Sequence, residues 1–157
     1  MALTRNRNLD VSDPGTMPQG EPFRFHTRIR YIDTDASGRI HYTAMFRYFE
    51  SAEIELMRTV GVTYSGRSQY AFPRVHVECD FRLALVHDDE IEIEVFLTKL
   101  GRSSARFDFR TLKAGELAAH GAVVIVCMDR ASQRAIPIPE DVRARLSPLL
   151  SAAEGVR

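Results

Sequence analysis

The chain has very little cysteine. Only Cys79 and Cys127 occur in 157 residues, with no CxxC pair and no histidine spacing that would complete a zinc site. Both are read as buried thiols of a reducing compartment, and no metal centre is expected. There is no excess of charge of either sign: Lys and Arg total 21, and Asp and Glu total 21. A protein that grips a phosphate backbone or an anionic membrane surface shows a basic surplus, so nucleic acid and membrane drop out as partners. No run of roughly eighteen apolar residues could span a bilayer. The opening MALTRNRNLDVSDPGTMPQGEP lacks the apolar core of a signal peptide, which makes cytoplasm the expected location. No internal repeat is present.

What is there is ordinary globular material, 45% hydrophobic and 27% charged, in a length that suits one domain with a real core. Residues 1–21, rich in Asn, Asp, Pro and Gly, have too little apolar surface to offset the entropy of ordering and are expected to form a mobile tail. The domain is expected over residues 22–150, with a frayed end at 151–157.

From Phe23 the residues alternate. Phe23, Phe25, Thr27, Ile29 and Tyr31 share one parity, and Arg24, His26, Arg28 and Arg30 the other, the period of a strand with one buried face. Extending that parity aims Asp33 and Asp35 inward, which is costly unless they are paired, hydrogen-bonded or used. After the turn Ala36-Ser37-Gly38, residues 43–60 carry Met45, Phe49, Ala52, Leu56 and Val60 at helical spacing. This predicts a largely surrounded helix of about five turns, capped by the Thr43 side chain and ended by a left-handed Gly61.

Four strand-like runs follow. In the first, Val75, Val77, Cys79, Phe81 and Leu83 alternate with polar residues, and in the second Ile91, Ile93, Val95 and Leu97 alternate with Glu90, Glu92 and Glu94. The third sets Ala105, Phe107 and Phe109 against Arg106, Asp108 and Arg110, so its basic outer row could lie beside the acidic row of the second. The fourth holds the unbroken AVVIVCM of a well-covered strand. Pro139 then opens a short terminal helix. The order predicts an α+β domain in which an antiparallel sheet of about five strands wraps one long central helix.

At this point the chain resembles the hotdog-fold thioesterases of the 4-hydroxybenzoyl-CoA thioesterase type. The residues that carry the likeness are Tyr31, then Asp33-Thr34-Asp35-Ala36-Ser37-Gly38, then Phe49-Glu50 on the helix, with Glu78-Cys79-Asp80-Phe81 and His87-Asp88-Asp89-Glu90 later, over about residues 23–130. It departs from the family pattern at Glu53, where many relatives carry Arg, and at Ala84, where Pro is usual.

The resemblance implies hydrolysis of an acyl-coenzyme A or acyl-carrier-protein thioester. Coenzyme A or phosphopantetheine enters as part of the substrate, no separate cofactor is needed, and the site lies between subunits of a homodimer or homotetramer whose sheets join edge to edge. It assigns Asp35 as nucleophile or general base, and the backbone N–H of Tyr42 as polariser of the thioester carbonyl. Such an N–H at a helix start is unpaired and stands at the positive end of the dipole. Gly38 supplies the sharp bend. The substrate-binding set is expected to comprise His41, Thr43, Glu50, Tyr64 and Phe72, while Asp33 holds the loop. Arg24, Arg28 and Arg30 read as a solvated strand face, with the phosphates of coenzyme A as the alternative. The rival functions are a hydratase or dehydratase, which needs a His beside a helix acid, and an acyl-thioester-binding module without turnover.

Overall fold

The structure, a computed structural model, describes residues 21–151. The expected mobile tail and frayed end therefore lie outside the described residues, except for Glu21 and Ser151. In chain order the elements are β1 (Phe23–Arg28), α1 (Ala44–Thr59), β2 (Tyr70–Ala71), β3 (Arg74–Phe81), β4 (Glu90–Leu100), β5 (Ser104–Lys113), β6 (Glu116–Val126), β7 (Met128–Asp129) and α2 (Glu140–Leu146). Five strands form one sheet in the order β1-β4-β5-β6-β3, every pairing antiparallel, and β2 with β7 forms a separate two-stranded pair.

Charge and apolarity sort onto the two faces of this sheet. On the outer face Arg24, His26 and Arg28 of β1 stand opposite Glu94, Glu92 and Glu90 of β4, and Glu94 also stands opposite Arg110 of β5. The Glu94 carboxylate meets Arg24 Nη2 at 3.3 Å and Arg110 Nη1 at 3.1 Å, so it tolerates burial. The acidic and basic rows thus neighbour one another as expected. The Arg24 and Arg28 guanidinium groups are taken up by β4 acids and by Asp88.

On the inner face lies α1, whose Met45, Phe49, Ala52, Leu56 and Met57 are buried at helical spacing. Phe49 stacks on Phe109 of β5, with centroids 4.5 Å apart and rings inclined by 13°. It also lies over Gly121 of β6, where a Cβ would come 2.8 Å from the Phe49 ring and 2.2 Å from the Glu78 carbonyl oxygen. The helix ends as expected. Gly61 is left-handed at φ +72°, its N–H donates to the Arg58 carbonyl at 3.0 Å, and the Val62 N–H donates to the Met57 carbonyl at 2.9 Å. Arg145 of α2 donates to the Gly61 carbonyl at 3.2 Å, placing a cation at the negative end of α1.

Several expectations are corrected. The central helix is 16 residues, roughly four turns rather than five; the short terminal helix expected after Pro139 is present as α2, which tucks Val142 and Leu146 into the core. Thr43 does not cap α1: its backbone is already helical (φ −75°, ψ −23°), whereas a side-chain cap needs an extended residue, and its Oγ1 lies 2.7 Å from His41 Nδ1 instead. The parity of β1 does not continue to Asp35. Pairing stops after Arg28, and Tyr31–Asp33 winds into a turn of 3-10 helix, so side chains advance about three to a turn rather than alternating. Tyr31 is thereby left 77% exposed, Asp33 is buried and Asp35 is exposed. Finally, β3 is an edge strand whose apolar row overhangs the helix, leaving Val75, Val77 and Phe81 exposed where a buried face was expected. No helix among the described residues is long and apolar enough to cross a membrane.

Candidate active site

The stretch between β1 and α1 is a hairpin tied down at both ends. Thr34 bridges to Ile40, the Asp35 N–H donates to the Arg39 carbonyl at 2.8 Å, and the Gly38 N–H donates to the Asp35 carbonyl at 2.9 Å. Gly38 closes this turn at φ +79°, a left-handed value that an L side chain adopts only with strain. The expected bend is therefore present.

Asp33 anchors the hairpin to the helix. Its buried carboxylate accepts bonds from Arg30 Nε at 2.8 Å and from the Tyr48 hydroxyl at 2.7 Å, and it is also paired with Arg47. Burial pushes this carboxyl up, but the donors from Arg47, Tyr48 and Arg30 outweigh it and hold the pKa at about 2. The Asp33 carbonyl accepts the His41 N–H at 2.8 Å, so the same residue fixes both legs of the hairpin.

Asp35 stands at the exposed tip. Its Oδ1 accepts the Ser37 hydroxyl at 2.6 Å and the Ser37 N–H at 2.7 Å, and these donors lower its pKa below the ordinary carboxylate value. The carboxylate is ionised, oriented by Ser37 and open to an incoming molecule. At the other leg His41 stacks on Tyr42, centroids 4.7 Å apart, with its Nδ1 occupied by Thr43. The chain enters α1 through a tight turn in which the Ala44 N–H donates to the His41 carbonyl at 2.8 Å. Among the described residues the Tyr42 N–H has no acceptor. Tyr42 lines a cleft of about 300 Å³ together with Arg39, Ile40 and the segment from Phe81 to Leu85.

The other expected residues gather elsewhere. Tyr64 and Phe72, with rings 5.7 Å apart, line a second cleft of about 330 Å³ with Tyr70, Arg74, Met128 and Arg130. Glu50 reaches it through Arg74, whose Nη2 is 3.3 Å from Glu50 and 3.3 Å from Glu53. The expected site residues thus form two groups, one at the start of α1 and one alongside its second half. Sequence reading missed Arg74, which sits at the outer parity of an apparent strand. It also missed Arg47 and Tyr48 as the partners of Asp33, which lie on the helix beyond the hairpin and meet the aspartate only in the fold. The histidine contacts with carboxylates among the described residues, His26 with Glu92, His76 with Glu78 and His120 with Asp80, all lie on the sheet, and none involves a helix acid. Both cysteines are free, and burial pushes the Cys79 thiol up to about 12, which leaves it unreactive.

The thioesterase-like superfamily model matches residues 20–146. The chain belongs to this family. A 1,4-dihydroxy-2-naphthoyl-CoA hydrolase of Synechococcus elongatus is 27% identical over 122 residues, covering 75% of this chain and 90% of the relative. The acyl-CoA thioesterase YbgC of Haemophilus influenzae is 26% identical over 125 residues, covering 78% and 92%. Among solved structures, a gentisyl-coenzyme A thioesterase superposes with a TM-score of 0.71 at 26% identity, covering 78% of this chain and 98% of that one. The hotdog arrangement of sheet and helix expected from the sequence, and the thioester-hydrolase class, agree with this membership.

Proposed function

We propose that the protein is a cytoplasmic acyl-coenzyme A thioester hydrolase in which Asp35 and the Tyr42 N–H carry the chemistry. The supporting observation is the pairing on one hairpin of an ionised, exposed carboxylate oriented by Ser37 with an unengaged backbone N–H on the wall of a cleft at the helix start. A thioester carbonyl laid against the Tyr42 N–H is polarised by it and by the helix dipole, so the oxyanion that forms is stabilised as it develops. Asp35 either attacks the carbonyl carbon itself, giving an anhydride that water opens, or removes a proton from the attacking water. In both routes a C–O bond forms, the C–S bond breaks, and the thiolate leaves with its electron pair to be protonated by solvent.

The Tyr64, Phe72 and Glu50 group serves the acyl end, and His41 and Thr43 shape the rim beside the carbonyl. The working unit is a dimer or a dimer of dimers. The open edge of β3, with Val75, Val77 and Phe81 exposed beside unpaired backbone, is the surface that supports this reading. The test is Asp35→Asn assayed for thiol release across a panel of acyl-coenzyme A and acyl-carrier-protein esters, with folding checked by circular dichroism. A loss of at least about a hundredfold in kcat is expected. Wild-type rates in the variant would remove Asp35 from the chemistry, and tight binding without turnover by the wild type would make the protein a binding module.

A further inference from the structure

Residues 63–69 are held over the second cleft by very little. None of them is buried, and Thr63, Ser65, Gly66, Arg67 and Gln69 are exposed. A Cβ on Gly66 would meet nothing within 4 Å, so the tip of the segment stands clear of the body. Its hydrogen bonds are largely its own. The Ser65 carbonyl accepts the Ser68 N–H at 3.4 Å and the Ser68 hydroxyl at 2.9 Å, and the Ser65 hydroxyl accepts the Arg67 N–H at 3.1 Å. A turn bonded to itself in this way keeps its shape when it moves. Yet the segment gives the cleft Thr63, Tyr64, Ser65, Gly66 and Ser68 of its lining.

Two tethers join it to the body among the described residues. At the far end Arg130 donates from Nη2 to the Ser65 carbonyl at 3.0 Å and from its backbone N–H to the Gln69 carbonyl at 2.9 Å. The Arg130 side chain is exposed, so water competes for the first of these bonds. At the near end the Tyr64 ring lies 5.7 Å from Phe72 and below the Arg74 guanidinium, and its hydroxyl donates to Glu53. This tether reaches into the core. Glu53 is fully buried on α1, and its Oε2 has no hydrogen-bond partner among the described residues. Burial pushes its carboxyl above the ordinary range, against the pull of Arg74 and Tyr64. Arg74 reaches Glu53 because the pairing of β3 with β6 slips between Arg74 and His76: the extra residue, Val75, turns Arg74 from the outer face onto α1.

Closure therefore gains a hydrogen bond to a buried charge while keeping water from the unmet oxygen of the same charge, two effects of similar size and opposite sign. A segment in that balance, with exposed backbone and few apolar contacts, opens locally while the sheet stays intact. We infer that residues 63–69 form a strap that opens to admit the acyl end of the substrate and closes over it, with the Tyr64 hydroxyl on Glu53 as its latch. This inference rests on the thioester-hydrolase reading above. Glu53 lies roughly 14 Å along α1 from Ala44. A long acyl chain whose carbonyl is at the helix start reaches the strap, and an acetyl group does not.

The experiment is limited trypsin digestion of the folded protein, with fragments weighed by mass spectrometry. Arg67 stands at the exposed tip of the strap, whereas Arg110 lies within β5, paired on both sides, and is cut only when the sheet comes apart. The ratio of cutting at Arg67 to cutting at Arg110 thus reads strap opening separately from global unfolding. Tyr64→Phe removes the latch bond and Arg130→Gln weakens the other tether from an exposed position that the core does not need. Both are expected to raise the ratio, Tyr64→Phe by about tenfold. An unchanged ratio in Arg130→Gln, or a fall in either variant, overturns the inference. In the same two variants KM for dodecanoyl-CoA is expected to rise about fivefold more than KM for acetyl-CoA, and a strap that opens more readily while the two KM values keep their proportion is not the gate of this cleft. If the wild type hydrolyses neither ester the hydrolase reading fails, and the strap stands or falls on the cutting ratio alone.

Discussion

The Tyr48 hydroxyl donates to Asp33 Oδ2 at 2.7 Å while accepting the Arg30 N–H at 2.9 Å. One phenol on the second turn of α1 therefore satisfies both the carboxylate and the backbone of the segment that presents Asp35. Asp33→Asn is expected to destabilise the fold by about 2–3 kcal/mol, since it removes the charge that Arg30 and Arg47 answer while those half-exposed cations can turn to water. Tyr48→Phe, which leaves one buried acceptor and one donor short of a partner, is expected to cost about 1–2 kcal/mol. Urea unfolding at neutral pH measures both, and equal stability of Asp33→Asn and wild type would show that the anchor contributes nothing.

The same carboxylate gives stability a pH signature. Asp33 titrates at about 2 in the fold against an ordinary 3.8. A carboxyl held that far below its ordinary value stabilises the native state by about 2 kcal/mol above pH 4, and this contribution is lost as pH falls through 4 towards 2. Asp33→Asn should lack that part of the acid-induced loss. Thermal melts of the two proteins between pH 2 and 6 make the comparison, and parallel curves would contradict the assignment.

Much of this fold is legible in the sequence, and the failures have a common physical origin. The alternation of β4 and β5 and the apolar spacing of α1 survive folding because each element is covered by its neighbours along its whole length, so periodicity maps directly onto burial. At Tyr31–Asp33 the period changes from two to three without any glycine or proline to mark it, so extending the strand aims both aspartates inward, whereas Asp33 alone is buried and Asp35 is exposed. In β3 the alternation is real, but the strand lies at the sheet edge beyond the helix, and nothing within one chain's pattern records which strand will be last. Arg74 was invisible for a different reason. Its importance comes from Glu53, 21 residues earlier, and two charges far apart in sequence reveal their pairing only when the chain is folded.

Ser37 tunes the proposed catalytic carboxylate. Its hydroxyl is the largest of the influences that lower the Asp35 pKa, followed by its own N–H. Asp35 acts as base or nucleophile only when ionised, so activity should rise with pH through the Asp35 pKa and level off above it. Ser37→Ala removes the hydroxyl, which raises that pKa, and the acid limb of kcat/KM should move to higher pH with the plateau nearly retained. An acid limb that stays in place would mean that the group titrating in the profile is not Asp35.

Packing between α1 and the sheet supplies the last test. Gly121 faces the Glu78 carbonyl and the Phe49 ring so closely that a methyl group there would overlap both, and neither the backbone of β3 nor a phenyl ring stacked on Phe109 can move aside without opening the core. Gly121→Ala is expected to cost about 3 kcal/mol, roughly 10 °C in Tm. Gly66→Ala is the control: nothing lies within 4 Å of the added methyl, so the change should be within about 0.5 kcal/mol. Because Phe49 sits one residue before Glu50, a tilt of the helix to relieve the overlap would also displace Glu50 from Arg74. Gly121→Ala should therefore raise KM for acyl-coenzyme A esters at temperatures where the variant is still fully folded, and an unchanged KM would show that β6 rather than α1 yields to the added methyl.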